Sequence, residues 1–191
     1  TFGYIFWVAL TQLFPVKLTN SNAYTRYKKW GWSLLGLVLV QIIYGAFVAG
    51  TKAGMVYTTW PLMEGSWIPE SIGYMFQKDG WISLTNNLAT VQFIHRMIAY
   101  TIALLIGVLI FKVVKDQQLS LQQKKNAYFL GGLVLVQIVL GIFTLLHSVP
   151  VAMGVIHQAV AFFVFAATIY FIYRLAYAPM NEKIVFVDDE D

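Results

Sequence analysis

From Asn126 to Tyr173 the chain runs 48 residues without one Asp, Glu, Lys or Arg. Lys125 closes one end and Arg174 the other. A helix needs roughly 20 apolar residues to cross the hydrocarbon core of a bilayer, so this stretch holds two membrane helices back to back. The turn between them reads His147-Ser148-Val149-Pro150, and Pro150 cannot sit in a helix interior. With 59% of its 191 residues hydrophobic and 12% charged, the whole chain falls in the membrane class.

The remaining spans follow from the same rule. Trp30 to Thr51 is a charge-free run of 22 residues, and Ala89 to Phe111 is the next span, with His95 and Arg96 near its start. The expected architecture is an all-α membrane protein: a four-helix bundle of two repeated hairpins, with spans at about 30–51, 89–111, 126–146 and 151–173. Residues 52–88 form a long polar and aromatic outer loop, 17–29 a basic loop, and 178–191 an acidic tail. Residues 1–16 read as the end of a preceding span, and the chain as the C-terminal part of a longer protein. Residues 30–177 are then the functional half.

Charge placement sets the orientation. Ten of the 13 basic residues lie in 17–29, in 112–125 or after Tyr173, and alternating spans put all three segments on one side. The positive-inside rule makes that side the cytoplasm, or the matrix of a mitochondrion. The basic residues flank spans, as membrane topology requires, and form no patch that suggests nucleic acid as a partner. There are no cysteines, which excludes disulfides, iron–sulfur clusters and thiolate zinc within these residues.

The hairpins repeat in sequence. Leu37-Val38-Leu39-Val40-Gln41-Ile42-Ile43-Tyr44-Gly45 matches Leu133-Val134-Leu135-Val136-Gln137-Ile138-Val139-Leu140-Gly141 in its aliphatic pattern, its Gln and its Gly. Each copy belongs to an outward-running span, and each is followed by an inward-running span that carries one histidine, His95 or His157. Both histidines lie about six residues into their spans, roughly 9 Å below the outer boundary at 1.5 Å per residue. Equivalent imidazoles at equal depth can face each other across a bundle and hold a haem iron from both sides. Ala99 and Ala161 lie four residues after their histidines, and Gly154 three before His157, leaving room for a flat macrocycle. Close helix packing would use the same small residues. A helix–helix hydrogen bond is the plain alternative for each histidine, and zinc would need ligands that no span supplies.

Arg96 and Lys52 stand at the outer helix ends, where they can pair with haem propionates or snorkel to lipid headgroups. His147 reads as a solvated turn residue. Trp60, Trp67, Trp81, Tyr57 and Tyr74 read as an interfacial belt, or as a lid over the haem edge.

These residues resemble haem A synthases. The stretches that carry the resemblance are Gly45-Ala46-Phe47-Val48-Ala49-Gly50 through Ala53-Gly54, Trp60-Pro61-Leu62-Met63, and Gln92-Phe93-Ile94-His95-Arg96. They continue with Gln137 through Gly141, Thr144-Leu145-Leu146, Val149-Pro150 and His157-Gln158-Ala159. The order and spacing match the C-terminal half of that family. The resemblance implies eight spans in two pseudo-symmetric halves and an oxidoreductase that converts the methyl group of haem O to the formyl group of haem A for cytochrome oxidase assembly. It implies that this half binds haem b through His95 and His157, and that haem O binds in the N-terminal half, so no catalytic residue is assigned here. The fragment alone is expected to be inactive. Besides the lipid bilayer, haem O synthase and a second copy of the chain are candidate partners. A bacterial plasma membrane is the first choice of location and the mitochondrial inner membrane the second. A stand-alone bis-histidine b-type cytochrome is the alternative function, and a haem-free scaffold or transporter half a third.

Overall fold

A computed structural model describes residues 1–14, 16–18 and 22–179. The acidic stretch Val187 to Asp191, Lys183 and Pro15 lie outside the described residues, as does part of the basic loop at 17–29.

The chain opens with α1 (Phe2–Leu13), a short strand β1 (Val16–Leu18) and the long helix α2 (Asn22–Thr51). The outer segment folds into α3 (Ala53–Val56), α4 (Glu70–Asp79), a single 3-10 turn and α5 (Ser83–Asn86). Three long helices complete it: α6 (Leu88–Lys115), α7 (Leu121–Leu146) and α8 (Val151–Ala176), the last running into β2 (Tyr177–Pro179). β1 and β2 pair antiparallel, with Lys17 opposite Ala178. The protein is therefore a multi-pass, all-α membrane bundle with one small ladder. Helices α2, α6, α7 and α8 have 26 residues or more, about 39 Å at 1.5 Å per residue, enough to cross an apolar core of roughly 30 Å.

These helices outrun the charge-free stretches that announce them. α2 starts at Asn22 and α6 ends at Lys115, so residues 22–29 and 112–115 are helical where the sequence suggests loop. Lys and Arg are good helix formers, and their long stems let a charged head stay wet while the backbone stays helical. The real breaks are set by caps. Asn87 accepts the Thr90 N–H at 3.0 Å to start α6, and Ser120 with Gln123 closes a capping box at the start of α7. The segment at 52–88 is more ordered than its composition suggests: α4 spans ten residues, and the Met63–Ser66 bridge closes a turn around Glu64 and Gly65, both at positive φ.

α2 packs against α6 and α8, and α7 packs against α6 and α8. The four helices thus form a ring in which α6 and α8, the two histidine helices, stand diagonally opposite. The apolar core fills one end of that ring. Leu34 and Val38 of α2 meet Ile106 and Leu109 of α6, Leu130 and Val134 of α7, and Phe171 of α8. This is the end where α2 starts and α6 stops, with the basic residues just beyond it. Gly31 lets α2 close on α8, since a Cβ there would lie 2.7 Å from Ile172. Outside the ring, α1 docks on α8, where the Tyr173 hydroxyl donates to the carbonyls of Leu10 and Phe14 at 3.1 and 3.2 Å. The opposite end of the bundle is built differently, and it holds the site.

Candidate functional site

In each hairpin the internal repeat turns out to serve its histidine. Gln41 on α2 places its amide 3.2 Å from Nε2 of His95 on α6. Gln137 on α7 places its amide 3.2 Å from Nε2 of His157 on α8. Four residues after each glutamine, on the same helix face, comes the glycine of the repeat. A Cβ at Gly45 would lie 3.4 Å from Cε1 of His95, and one at Gly141 would lie 2.9 Å from Cε1 of His157. Each imidazole therefore lies against a bare stretch of backbone, held at one nitrogen by an amide. The shared Gln and Gly that mark the duplication in sequence are the two residues that seat the ring.

The histidines sit at matching depth, His95 at the eighth position of α6 and His157 at the seventh of α8. Both side chains are half-buried, but in each the second ring nitrogen, Nδ1, is buried without a partner. The two glutamine carbonyl oxygens are buried without a partner as well. Turning each amide over answers part of this: Oε1 then accepts the imidazole Nε2–H, and Nδ1 is left with a free lone pair. An imidazole fastened at one nitrogen and bare at the other is the form in which histidine binds a metal. Among the described residues no three His, Cys, Asp or Glu side chains cluster as a metal site.

Arg96 follows His95 on α6, and only 8% of it is exposed. Its guanidinium donates to the Tyr57 carbonyl at 3.1 Å and more weakly to Leu62 at 3.5 Å, while Nε has no partner. Gln92, one turn earlier, donates to the same Tyr57 carbonyl at 2.7 Å. The outer segment is thus fastened down on the histidine helix by two side chains. No carboxylate meets Arg96: among the described residues the one ion pair is Arg26 with Asp116, beyond the basic end. A buried cation without a counter-ion is costly unless an anion joins it.

The other candidates are less engaged. Lys52 lies exposed at the break between α2 and α3, in a left-handed conformation with φ 58°. His147 is exposed, donates from Nδ1 to the Phe143 carbonyl at 2.8 Å and stacks on the Phe143 ring. Gly154 faces Val149, whose methyl is 4.0 Å from a Cβ placed there. Trp67, Trp81 and Tyr74 are each more than 60% exposed, which suits an interfacial belt better than a sealed lid.

The two halves also meet at the outer rim. Ser148 and Val149 both take positive φ, 58° and 59°, strained for a β-branched residue. The bend carries Val149 onto Gly54, where a Cβ would lie 2.8 Å from its methyl.

A family model described as cytochrome oxidase assembly protein (COX15-CtaA) matches residues 1–169. A protein named heme A synthase from Flavobacterium psychrophilum is 42% identical over 178 residues, covering 92% of this chain and 51% of that protein. Its namesake from Flavobacterium johnsoniae is 40% identical over 177 residues, with the same coverage of 92% and 51%. One from Bartonella quintana is 44% identical over 131 residues, 69% of this chain and 36% of that protein. The chain spans about half the length of the first of these relatives. No solved structure matches it.

Proposed function

The chain belongs to the COX15-CtaA family of cytochrome oxidase assembly proteins, and from that premise we propose that it is the cofactor-bearing half of a haem A synthase, holding a haem b between His95 and His157. The relatives' name, heme A synthase, supports the activity: oxidation of the methyl group of haem O to the formyl group of haem A, for cytochrome oxidase assembly. The substrate site belongs to a half outside this chain, and no residue here is assigned to the chemical step. Bacterial relatives favour the plasma membrane as the location, with the basic segments facing the cytoplasm.

One observation carries the reading. Two imidazoles, on diagonally opposed helices and at matching depth, each have one nitrogen on a glutamine and the other buried without a partner. The residues fit a bis-imidazole haem. His95 and His157 would hold its iron through their ring nitrogens. Gln41 and Gln137 hold the rings in one orientation and one tautomer. Gly141 removes a side chain that would crowd the His157 ring, and Gly45 leaves bare backbone against the His95 ring. Arg96 offers the unpaired buried cation that a haem carboxylate requires, with the exposed Lys52 as a second, weaker contact. When bound, such a haem takes up and passes on one electron at a time.

The test is the haem content of the purified chain, read as the pyridine haemochrome. About one b-type haem per chain supports the proposal. A folded chain that takes up no haem, or only haem of another type, contradicts it.

A further inference from the structure

Away from the histidines, the basic end of the bundle holds a cavity of about 680 Å³ between the start of α2 and the end of α6. We propose that it binds the phosphate headgroup of an anionic phospholipid. Three cations line it, Arg26, Lys112 and Lys115, against one carboxylate, Asp116. That carboxylate is already committed, since it pairs with Arg26 and accepts from the Tyr27 hydroxyl at 3.0 Å. Lys112 and Lys115 have no carboxylate: among the described residues they rest on aromatic faces, Lys112 over Trp30 at 5.7 Å and Lys115 over Phe111 at 4.2 Å. The cavity thus has an excess of positive charge and two ammonium groups held in place by rings, not by anions.

Its position selects the occupant. The cavity opens where two spans leave the apolar layer, and Phe111 and Val114, 59% and 50% exposed, lie beside the two lysines on α6. Trp30 and Phe111 in its wall suit the glycerol and upper acyl region of a lipid, with the phosphate beyond them among the ammonium groups. A soluble anion would use the charges and leave the exposed apolar surface of Phe111 and Val114 unused. Basic pockets between helices at a membrane surface bind lipid headgroups through this combination.

The experiment uses the full chain in neutral detergent, with phosphatidylglycerol and phosphatidylcholine of identical acyl chains as probes. Lipid retained on the protein is counted by native mass spectrometry. The parent chain should keep phosphatidylglycerol in preference to phosphatidylcholine. Lys112→Gln/Lys115→Gln should lower that retention roughly tenfold or more. Lys112→Arg/Lys115→Arg should restore it, and Lys78→Gln, in α4 far from the cavity, should leave it unchanged. Equal retention of the two lipids on the parent chain overturns the proposal whether or not the variants fold. So does undiminished phosphatidylglycerol on a monodisperse Gln double variant. Displacement of the lipid by equimolar inorganic phosphate would make this a plain anion site and also overturns it.

Discussion

The amide of Gln41 lies 3.2 Å from Nε2 of His95, and 96 residues on the Gln137 amide stands at the same distance from His157. A contact repeated in both hairpins constrains both rings alike. Removing either glutamine frees one imidazole to rotate and leaves its Nε2 without a partner. Partners of this kind change metal affinity by about 10–100-fold. Gln41→Ala and Gln137→Ala are each expected to weaken haem binding by about tenfold or more while the protein stays folded, as read by haem titration beside circular dichroism.

The two glycines predict an asymmetry. At Gly45 an added methyl lies 3.4 Å from Cε1 of His95, ordinary contact, whereas at Gly141 it lies 2.9 Å from Cε1 of His157. Gly→Ala inside a helix gains up to about 1 kcal/mol from the backbone, and overpacking loses about 1–3 kcal/mol. Gly45→Ala should therefore be neutral or slightly stabilising, and Gly141→Ala destabilising by about 1 kcal/mol or more. Thermal unfolding of the two variants side by side reads the difference.

Gly54 and Val149 tie the first half to the turn of the second. Gly54→Ala drives a methyl to 2.8 Å from Val149 and should lower the melting temperature. Val149→Gly removes both the opposing methyl and the strain of a valine at φ 59°. The double variant should be more stable than Gly54→Ala alone, a coupling that a double-mutant cycle measures.

Asp116 gives the basic end a pH dependence. Burial alone would push its carboxyl up, but the Gln118 N–H, the Arg26 guanidinium and the Tyr27 hydroxyl outweigh that and hold it below its usual 3.8. A carboxyl depressed by folding adds stability above its unfolded value and loses it as the pH falls through the folded one. Stability should fall below about pH 4, and Asp116→Asn should flatten that limb of the profile. The amplitude is about 1 kcal/mol or less, because Arg26 is 46% exposed.

The fold was largely legible because long charge-free runs admit few readings: a membrane forces them into helices. Their ends were less legible. Apolarity marks where a chain enters lipid, while Asn87 and Ser120 mark where a helix starts, and in α2 and α6 the two differ by up to eight residues. The outer helices were hidden by aromatic and polar composition with no clean period. For the site, equal depth singled out His95 and His157, and the repeat singled out Gln41, Gly45, Gln137 and Gly141. What stayed hidden was that these six residues belong together. Contact between a glutamine and a histidine 54 residues apart depends on how each helix is rotated, and a sequence of uniformly apolar helices carries little record of rotation. The four-residue spacing of Gln and Gly was the available clue, since it puts both on one face. Arg96 was legible as a cation near the site, but its fastening of the outer segment through the Tyr57 carbonyl was not, because a backbone acceptor leaves no mark in the sequence.

The most direct test of the central claim is the reduced-minus-oxidised visible spectrum of the purified chain beside His95→Ala and His157→Ala. Two axial imidazoles on one iron predict a low-spin b-type signal in the parent chain that is lost in both variants. A low-spin signal that survives either substitution would contradict the pairing.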